Sequence, residues 1–271
     1  MFSGNRLVSD YVFLALMVAL AAAGLVEFYG LVERRGWVCY KVWGILGGVL
    51  LMASTFVYLS GILGVHEAPS KANDFETSIL ILLVLGLCLR QFFSPTQQGG
   101  ILAISTTLFG LMYVPWLLNF IQKIYYYPRV EGNGAFYVLY FILVTKFSDT
   151  GAYAVGSLIG RHKMIPRISP GKTWEGFGGA LLFSVLASVL FFWAAGGRLV
   201  GMTLPHALML GGMLGGTAVV GDLVESMFKR EAGVKDSGRL FPGIGGILDL
   251  LDSLLFNAPL MYLYLRHVLA G

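Results

Sequence analysis

The sequence predicts an all-α, polytopic integral membrane protein, and three observations support this fold class. Hydrophobic residues make up 56% of the 271 residues, and charged residues make up only 13%. A soluble domain of this length would usually carry about twice that charged fraction. The apolar residues also occur in runs long enough for helices that cross a bilayer, which need about 20 residues each. Together these observations leave no length for a sizeable soluble domain.

The apolar runs predict about eight transmembrane helices in one bundle that comprises residues 1–271. The runs are 11–32, 42–65, 78–93, 101–121, 134–159, 177–195, 204–221 and 247–266. We interpret the polar segments 66–77 and 122–133 between them as connecting loops. Residues 1–133 are expected to form a scaffold that offers contacts for a homodimer. Residues 134–271 are expected to hold the catalytic spans and their cytoplasmic loops.

The distribution of Lys and Arg predicts how the helices are oriented. The loops after the first, third, fifth and seventh runs hold twelve of these residues, whereas the opposite side holds six. Cytoplasmic loops of membrane proteins carry an excess of Lys and Arg. We therefore expect both termini to face outward and the charged segment 221–252 to face the cytoplasm.

Other classes of protein find little support in the composition. The formal net charge of +4 is too small to indicate a nucleic-acid-binding surface, and the sequence contains no nucleic-acid-binding motif. Cys39 and Cys88 are far apart and fit neither a disulfide framework nor a metal-ligand spacing. Two packing thiols are the expected interpretation.

The fifth run carries charge inside an apolar segment. Lys146, Asp149 and Tyr153 are spaced at i, i+3 and i+7, which places them on one face of a helix. Ionised groups within a membrane normally face a partner or a wet cavity. Lys146 and Asp149 are therefore either a pair that neutralises itself or one wall of a functional site.

A basic segment follows directly, from Gly160 to Gly176. Its prolines and glycines exclude a continuous helix, and its cationic residues are Arg161, Lys163, Arg167 and Lys172. One interpretation is that this loop does no more than fix the orientation of the neighbouring helices in the membrane. It can also bind anionic phosphates, provided that nearby carboxylates hold Mg²⁺.

The segment 221–252 supplies those carboxylates. If residues 217–231 are helical, Asp222, Ser226 and Lys229 share one face, with Glu225 beside them. After a Gly- and Pro-rich turn, Asp249 and Asp252 follow at i and i+3 on the next helix. Carboxylates on facing helices are a common way to build a site for a hard cation.

The same segments resemble the phosphatidate cytidylyltransferase family in three ordered blocks. The first block is Asp149, Gly151, Ala152 and Tyr153, and the second is Ser169, Pro170, Lys172, Thr173, Glu175 and Gly176. The third block runs from Ser226 to Asp252 and contains Lys229, Arg230, Lys235, Asp236, Gly238, Phe241, Pro242, Gly243, Gly245, Gly246, Ile247 and Asp249. The resemblance covers about residues 141–259.

This resemblance implies an enzyme that joins CTP to phosphatidate, releasing pyrophosphate and leaving CDP-diacylglycerol among the membrane lipids. It implies a bacterial-type inner-membrane location, with the active site facing the cytoplasm. Mg²⁺ would be held by Asp222 and Asp249, and Asp149 and Asp252 would hold a second cation or orient the basic groups. The other implied catalytic residues are Lys172, Lys229, Arg230, Lys235 and Asp236. The implied substrate-binding residues are Tyr153, Ser169, Thr173, Glu175, Ser226 and Arg239.

The sequence departs from the family pattern at two positions in the third block. Ile244 stands where the family usually has His, and Leu250 stands where it usually has Arg. The amino-terminal part also lacks one span that the family generally has before Glu27, Phe28 and Tyr29. Two other functions are considered: a CTP-dependent transferase acting on a polyprenol or archaeal-type lipid phosphate, and an ion-coupled transporter that uses Lys146 and Asp149 as a relay.

Overall fold

The computed structural model describes residues 6–61, 69–94, 99–127, 133–238 and 245–269. Most of this part of the chain is helical. The α-helices are α1 (Arg6–Arg34), α2 (Lys41–Leu59), α3 (Pro69–Phe92), α4 (Gly100–Leu111), α5 (Leu117–Tyr125), α6 (Gly134–Ile159), α7 (Trp174–Ala194), α8 (Leu204–Glu231) and α9 (Ile247–Tyr264). A π-helical turn, Met112–Trp116, joins α4 to α5, and a second one, Leu265–Leu269, extends α9.

The fold-class prediction of an all-α polytopic membrane protein is confirmed. Within the described residues, seven helical segments are long and apolar enough to cross a membrane, if α4 and α5 are counted as one segment. Helix α6 is not among the seven, because Lys146, Asp149 and their polar neighbours lower its hydropathy. Helix α6 nevertheless coincides closely with the predicted fifth run.

Two segments predicted as loops are partly helical. Residues 69–77 belong to helix α3 and residues 122–125 belong to helix α5. Pro69 is favourable at a first helical position, and the polar residues after it are compatible with a helix. Residues 160–176 contain a short antiparallel hairpin of β1 (Lys163–Ile165) and β2 (Ser169–Thr173). Lys163 pairs with Thr173, and Ile165 pairs with Ser169. The exclusion of a continuous helix in that segment is confirmed.

The chain forms two compact units. One contains residues 1–122 and 232–248, and the other contains residues 123–231 and 249–271. The first unit is organised around Tyr29, which is fully buried and donates a hydrogen bond to the carbonyl oxygen of Thr107 at 2.8 Å. A methyl group on Gly44 or Gly110 would overlap the Tyr29 ring, so small residues allow α2 and α4 to approach α1.

The first unit also contains a buried polar cluster. The Glu76 carboxylate is 1% exposed and accepts hydrogen bonds from Thr55 Oγ1 at 3.2 Å and from Asn119 Nδ2 at 3.0 Å. Gln122 Nε2 in turn donates to Asn119 Oδ1 at 2.7 Å. Such a network ties α2, α3 and α5 together, because polar groups buried among apolar helices require partners.

In the second unit, α6 and α7 pack against each other through glycines. A methyl group on Gly151 would lie 2.5 Å from the Gly179 carbonyl oxygen, and one on Gly179 would lie 2.6 Å from that of Gly151. The two backbones are therefore in direct contact, which is the usual role of small residues between membrane helices. Asn257 of α9 donates to Thr145 Oγ1 at 2.7 Å and to the Leu214 carbonyl at 2.9 Å. These bonds fix α9 against α6 and α8.

Candidate active site

A cavity of about 420 Å³ opens within the second unit. Helices α6, α7 and α8 and strand β2 contribute its walls. Its polar lining includes Asp149, Ser169, Lys172 and Asp222. Tyr153, whose side chain is 79% exposed, stands at its edge. The first two sequence blocks and Asp222, which lies four residues before the third block, therefore meet around one cavity.

Lys172 and Asp222 form an ion pair at the wall of this cavity. Lys172 Nζ lies 2.7 Å from Asp222 Oδ2, and it donates to the Val219 carbonyl at 3.3 Å. Strand β2 presents Lys172, and α8 presents Asp222 one helical turn before Ser226. Ser226 donates from Oγ to Asp222 Oδ1 at 3.2 Å, so its predicted place on the same face as Asp222 is confirmed.

Lys146 links α6 to α9. Its Nζ atom lies 3.2 Å from Asp149 Oδ2, 3.0 Å from the Leu250 carbonyl oxygen and 3.2 Å from Ser253 Oγ. Lys146 and Asp149 thus form the pair that their spacing permits. Asp149 also lines the cavity, so it takes part both in the ion pair with Lys146 and in the cavity wall.

Lys229 lies between two carboxylates. Its ammonium group forms an ion pair with Glu225, one turn earlier on α8, and with Asp249 Oδ1 of α9 at 2.6 Å. The side chains of Lys229, Glu225 and Asp249 are 12%, 0% and 10% exposed, respectively. Lys229 therefore points toward α9 and, unlike Asp222, does not line the cavity.

These groups form one electrostatic cluster, which has a surplus of negative charge when every group is ionised. Asp222 interacts electrostatically with Asp149 and Asp252, and Glu225 interacts with Asp249 and Asp252. In their ionised forms the cluster holds five carboxylates, Asp149, Asp222, Glu225, Asp249 and Asp252, and three ammonium groups, Lys146, Lys172 and Lys229. One divalent cation would balance that surplus.

The donor set fits Mg²⁺ that arrives together with a nucleotide. Within the described ranges, no three His, Cys, Asp or Glu side chains converge as metal ligands. Mg²⁺ in nucleotide sites usually takes one or two carboxylates, with phosphate oxygens and water completing the octahedron. Asp222 and Asp249 would be the residues that hold the ion, and each of them pairs with a lysine in this structure.

Several predicted residues also have clear local roles. The Thr173 hydroxyl caps α7 by accepting the Gly176 N–H at 3.1 Å. Glu175 accepts the backbone N–H groups of Arg161 and His162 at 3.1 Å and 3.2 Å and contacts the His162 ring. Arg230 donates from Nε to the Ile168 carbonyl at 3.1 Å. These contacts shape the hairpin that presents Lys172 and Ser169.

Several predicted residues that the structure describes do not line the cavity: Glu175, Ser226, Lys229, Arg230, Lys235, Asp236, Asp249 and Asp252. Lys235 and Asp236 belong to the first unit and are exposed. Arg239 and Ile244 lie outside the described residues. Sequence reasoning overlooked Ser253, whose Oγ also lies 3.4 Å from Asp149 Oδ2. Ser253 follows Asp249 by four residues, and this helical spacing could have indicated that the two side chains share one face of α9. The apolar wall formed by Met164, Phe177 and Val219 had no signal in the sequence.

The sequence is similar to a known family and to several known proteins. A family model described as the cytidylyltransferase family matches residues 2–268. The uncharacterized protein YnbB of Escherichia coli is 38% identical over 205 residues, which cover 72% of this chain and 65% of that protein. The phosphatidate cytidylyltransferase of Mycobacterium bovis is 38% identical over 172 residues, which cover 64% of this chain and 54% of that protein.

The phosphatidate cytidylyltransferase of Mycobacterium leprae matches over more of its length. It is 40% identical over 272 residues, which cover 94% of this chain and 81% of that protein. The chain thus spans less than two thirds of the E. coli and M. bovis proteins. The match to the family model nevertheless extends through all the helices described above. The chain belongs to the cytidylyltransferase family.

Proposed function

We propose that this protein transfers the cytidylyl group of CTP to phosphatidate, forming CDP-diacylglycerol and pyrophosphate. The Lys172–Asp222 ion pair at the cavity wall is the observation that carries the proposal. In a chain of the cytidylyltransferase family, this pair supports the proposal because the lysine would bind substrate phosphate and the adjacent carboxylate would hold Mg²⁺. Two of the relatives compared above are named phosphatidate cytidylyltransferase, which supports phosphatidate as the acceptor.

The reaction needs positioning and charge neutralisation more than it needs a base. A phosphate oxygen of phosphatidate attacks the α-phosphorus of CTP, and the bond between that phosphorus and the oxygen that bridges to the β-phosphate breaks. The nucleophile is already an anion, so no protein group has to remove a proton from it. Catalysis then depends on aligning the two substrates and on stabilising the negative charge that develops on pyrophosphate.

The lysines of the cluster are suited to that task. Lys172 on the cavity wall would contact substrate phosphate oxygens, and Lys229 would hold Asp249 in place or contact phosphate itself. Mg²⁺, held by Asp222 and Asp249, would add Lewis-acid stabilisation of the pyrophosphate oxygens. Asp149 and Asp252 would orient Lys146 and the α9 helix or hold a second cation. Arg230, Lys235, Asp236 and Arg239 remain predicted contributors.

The distribution of Lys and Arg supports a proposal for the side of the membrane on which the site lies. We propose that the hairpin and the carboxyl-terminal end of α8 face the cytoplasm of a bacterial-type inner membrane, where CTP is available. Residues 134–271 would then hold the chemistry, and residues 1–133 would serve as its scaffold. Homodimer formation stays a prediction that size-exclusion chromatography with light scattering can test.

A product assay tests the proposed activity. Purified protein in lipid–detergent micelles would receive radiolabelled CTP, Mg²⁺ and one acceptor at a time: phosphatidate, a polyprenyl phosphate or an archaeal-type lipid phosphate. We expect a labelled CDP-lipid with phosphatidate, together with stoichiometric pyrophosphate. A product only with another acceptor would reassign the lipid. The absence of any product, combined with ion flux in proteoliposomes, would favour a transporter.

A further inference from the structure

We propose that Glu27, on α1, is a positioning residue that holds the first turn of α9, and with it Asp249, in the geometry that catalysis requires. This inference rests on the proposed function. It starts from the first unit, where Glu27 meets residues more than 200 positions later in the sequence.

The Glu27 carboxylate caps the amino terminus of α9. Oε1 accepts the Ile247 N–H at 3.0 Å, and Oε2 accepts the Leu248 N–H at 2.8 Å. The first N–H groups of a helix have no partner within the helix and carry the positive end of its dipole. A carboxylate is therefore a strong cap, although it comes here from another helix and not from the residue that precedes α9.

The same carboxylate also holds the chain on the other side of residues 239–244. Ser237 donates from Oγ to Glu27 Oε2 at 2.9 Å. A methyl group on Gly238 or on Gly246 would overlap the Glu27 carboxylate. These two glycines of the third sequence block thus leave the space that the Glu27 carboxylate occupies. Glu27 contacts the chain both before residue 239 and after residue 244.

The consequence for the reaction lies in the first turn of α9. Asp249 is the third residue of that helix and follows Leu248 directly. Its orientation depends on how the turn is fixed, because a carboxylate that binds a cation or Lys229 must keep its geometry within a few tenths of an ångström. Loss of the cap would leave Asp249 present but less firmly placed.

The test compares Glu27→Gln with wild-type protein. The amide keeps the size of the side chain but removes the negative charge and replaces one acceptor oxygen by a donor. We expect amide hydrogen exchange in the peptide that covers residues 245–250 to be about tenfold faster or more. We also expect kcat to fall by about tenfold or more, and half-maximal activity to require more Mg²⁺. The temperature of global unfolding should stay within a few degrees of that of the wild type.

Gly246→Ala provides a second route to the same displacement. It should reproduce the effects on hydrogen exchange and on Mg²⁺ dependence. The double variant with Glu27→Gln should be little worse than either single variant, because both substitutions remove the same interaction. Two variants on α1 serve as controls. Glu33→Gln loses a carboxylate that pairs with Lys41 at the surface, and Gly30→Ala adds a methyl group with nothing within 4 Å. Neither should alter exchange at α9.

The possible outcomes are distinguishable. If wild-type protein makes no CDP-lipid, the proposed function fails, while the exchange experiment still tests the cap. Unchanged exchange in Glu27→Gln would overturn the cap. Faster exchange with unchanged kcat and Mg²⁺ dependence would overturn the positioning role. Additive losses in the double variant would also contradict it, because they would mean that Glu27 and Gly246 act separately.

Discussion

Lys172 Nζ lies 2.7 Å from Asp222 Oδ2, so that strand β2 and helix α8 meet through opposite charges at the cavity wall. The two residues are 50 positions apart in the sequence: Lys172 belongs to the second block of the family signature, and Asp222 lies four residues before the third. Their contact brings a potential phosphate ligand beside a potential metal ligand. The Lys172–Asp222 pair therefore leads to the first prediction.

Lys172→Ala should lower kcat about 100-fold or more, because it removes a donor that acts on developing phosphate charge. Asp222→Asn should leave less than about a tenth of the turnover at saturating Mg²⁺, a loss of at least about 1.4 kcal/mol of barrier stabilisation. Both would be measured by CDP-diacylglycerol formation, with folding checked by thermal melting in detergent.

Lys163→Ala, on the paired strand, and Asp74→Asn, on α3, are the matched controls for this first prediction, since both residues are exposed. The controls should stay within about threefold of wild-type turnover. Retention of substantial activity by Asp222→Asn would remove Asp222 from the metal site. Equal losses in the controls would show that the effect is not specific to the cavity.

The sequence predicted the Lys172 and Asp222 elements to different degrees. Helix α8 was predictable, because the length of an apolar run and the helical spacing of the charged residues at its end both indicate a helix. The β1–β2 hairpin was not, because strands of three and five residues among prolines and glycines leave almost no pattern. The pairing of Lys172 with Asp222 therefore depended on the tertiary structure, although each residue had been predicted as a site residue.

The contacts of Lys229 and Glu27 also could not be predicted from the sequence. Spacing at i and i+4 could place Lys229 beside Glu225, but the Asp249 contact requires the packing of α8 against α9. The contacts of Glu27 had no local signal, because its partners lie more than 200 residues away in the sequence. Periodicity describes the face of one helix, whereas contacts between helices depend on how the whole bundle packs.

The second prediction separates stability from catalysis in the Glu225–Lys229–Asp249 cluster. Lys229→Met would leave two buried carboxylates without their shared cation. Removing one member of a buried ion pair costs about 3–5 kcal/mol, which corresponds to a fall of roughly 6 °C or more in the unfolding temperature of a chain of this size. Thermal unfolding in detergent would measure this loss, and CDP-diacylglycerol formation would measure activity.

A second substitution then tests the cause of that loss. Glu225→Gln in the Lys229→Met background should recover most of the unfolding temperature, because it removes one uncompensated buried charge. It should not restore turnover if the Lys229 ammonium acts on Asp249 or on phosphate. Recovery of both quantities would instead assign Lys229 a purely structural role. A Lys229→Met protein of wild-type stability would contradict the buried cluster itself.

The third prediction concerns sidedness. A single cysteine at Arg167, in the exposed turn of the hairpin, should react with a membrane-impermeant maleimide only after the cells are opened. A cysteine at Arg198, which is exposed between α7 and α8, should react in intact cells. Labelling at Arg167→Cys from outside would reverse the proposed topology and separate the cavity from cytoplasmic CTP.

The two native cysteines would be replaced by serine in that experiment. Cys39 is a weak competitor in any case, because burial and the nearby Glu33 carboxylate raise the pKa of its thiol to about 11. At neutral pH almost all of it is therefore protonated and slow to react. Cys88 is exposed on α3 and is the one whose replacement is essential for a clean background.

The last prediction concerns Leu250, which stands where the family usually has Arg. The Leu250 carbonyl oxygen accepts a hydrogen bond from Lys146 Nζ at 3.0 Å, and the same ammonium group lies 3.2 Å from Ser253 Oγ. The Lys146 ammonium group therefore lies against the turn of α9 in which other members of the family usually have an arginine at the position of Leu250. We expect the wild-type protein to be active, and Leu250→Arg to change its turnover by less than about threefold.

Lys146→Met should then be severely impaired, because it removes the cation on which this turn depends. A loss of about 2.7–4 kcal/mol is typical when one such donor acts in the transition state, which corresponds to about 100-fold or more in kcat. Adding Leu250→Arg to Lys146→Met should recover at least about tenfold of that loss, whereas Leu250→Gln, of similar length but uncharged, should recover none. Lys146→Met with near-normal turnover would show that this ammonium group does not replace the missing arginine. A double variant no better than Lys146→Met alone would show that a cation at Leu250 cannot substitute for one at Lys146.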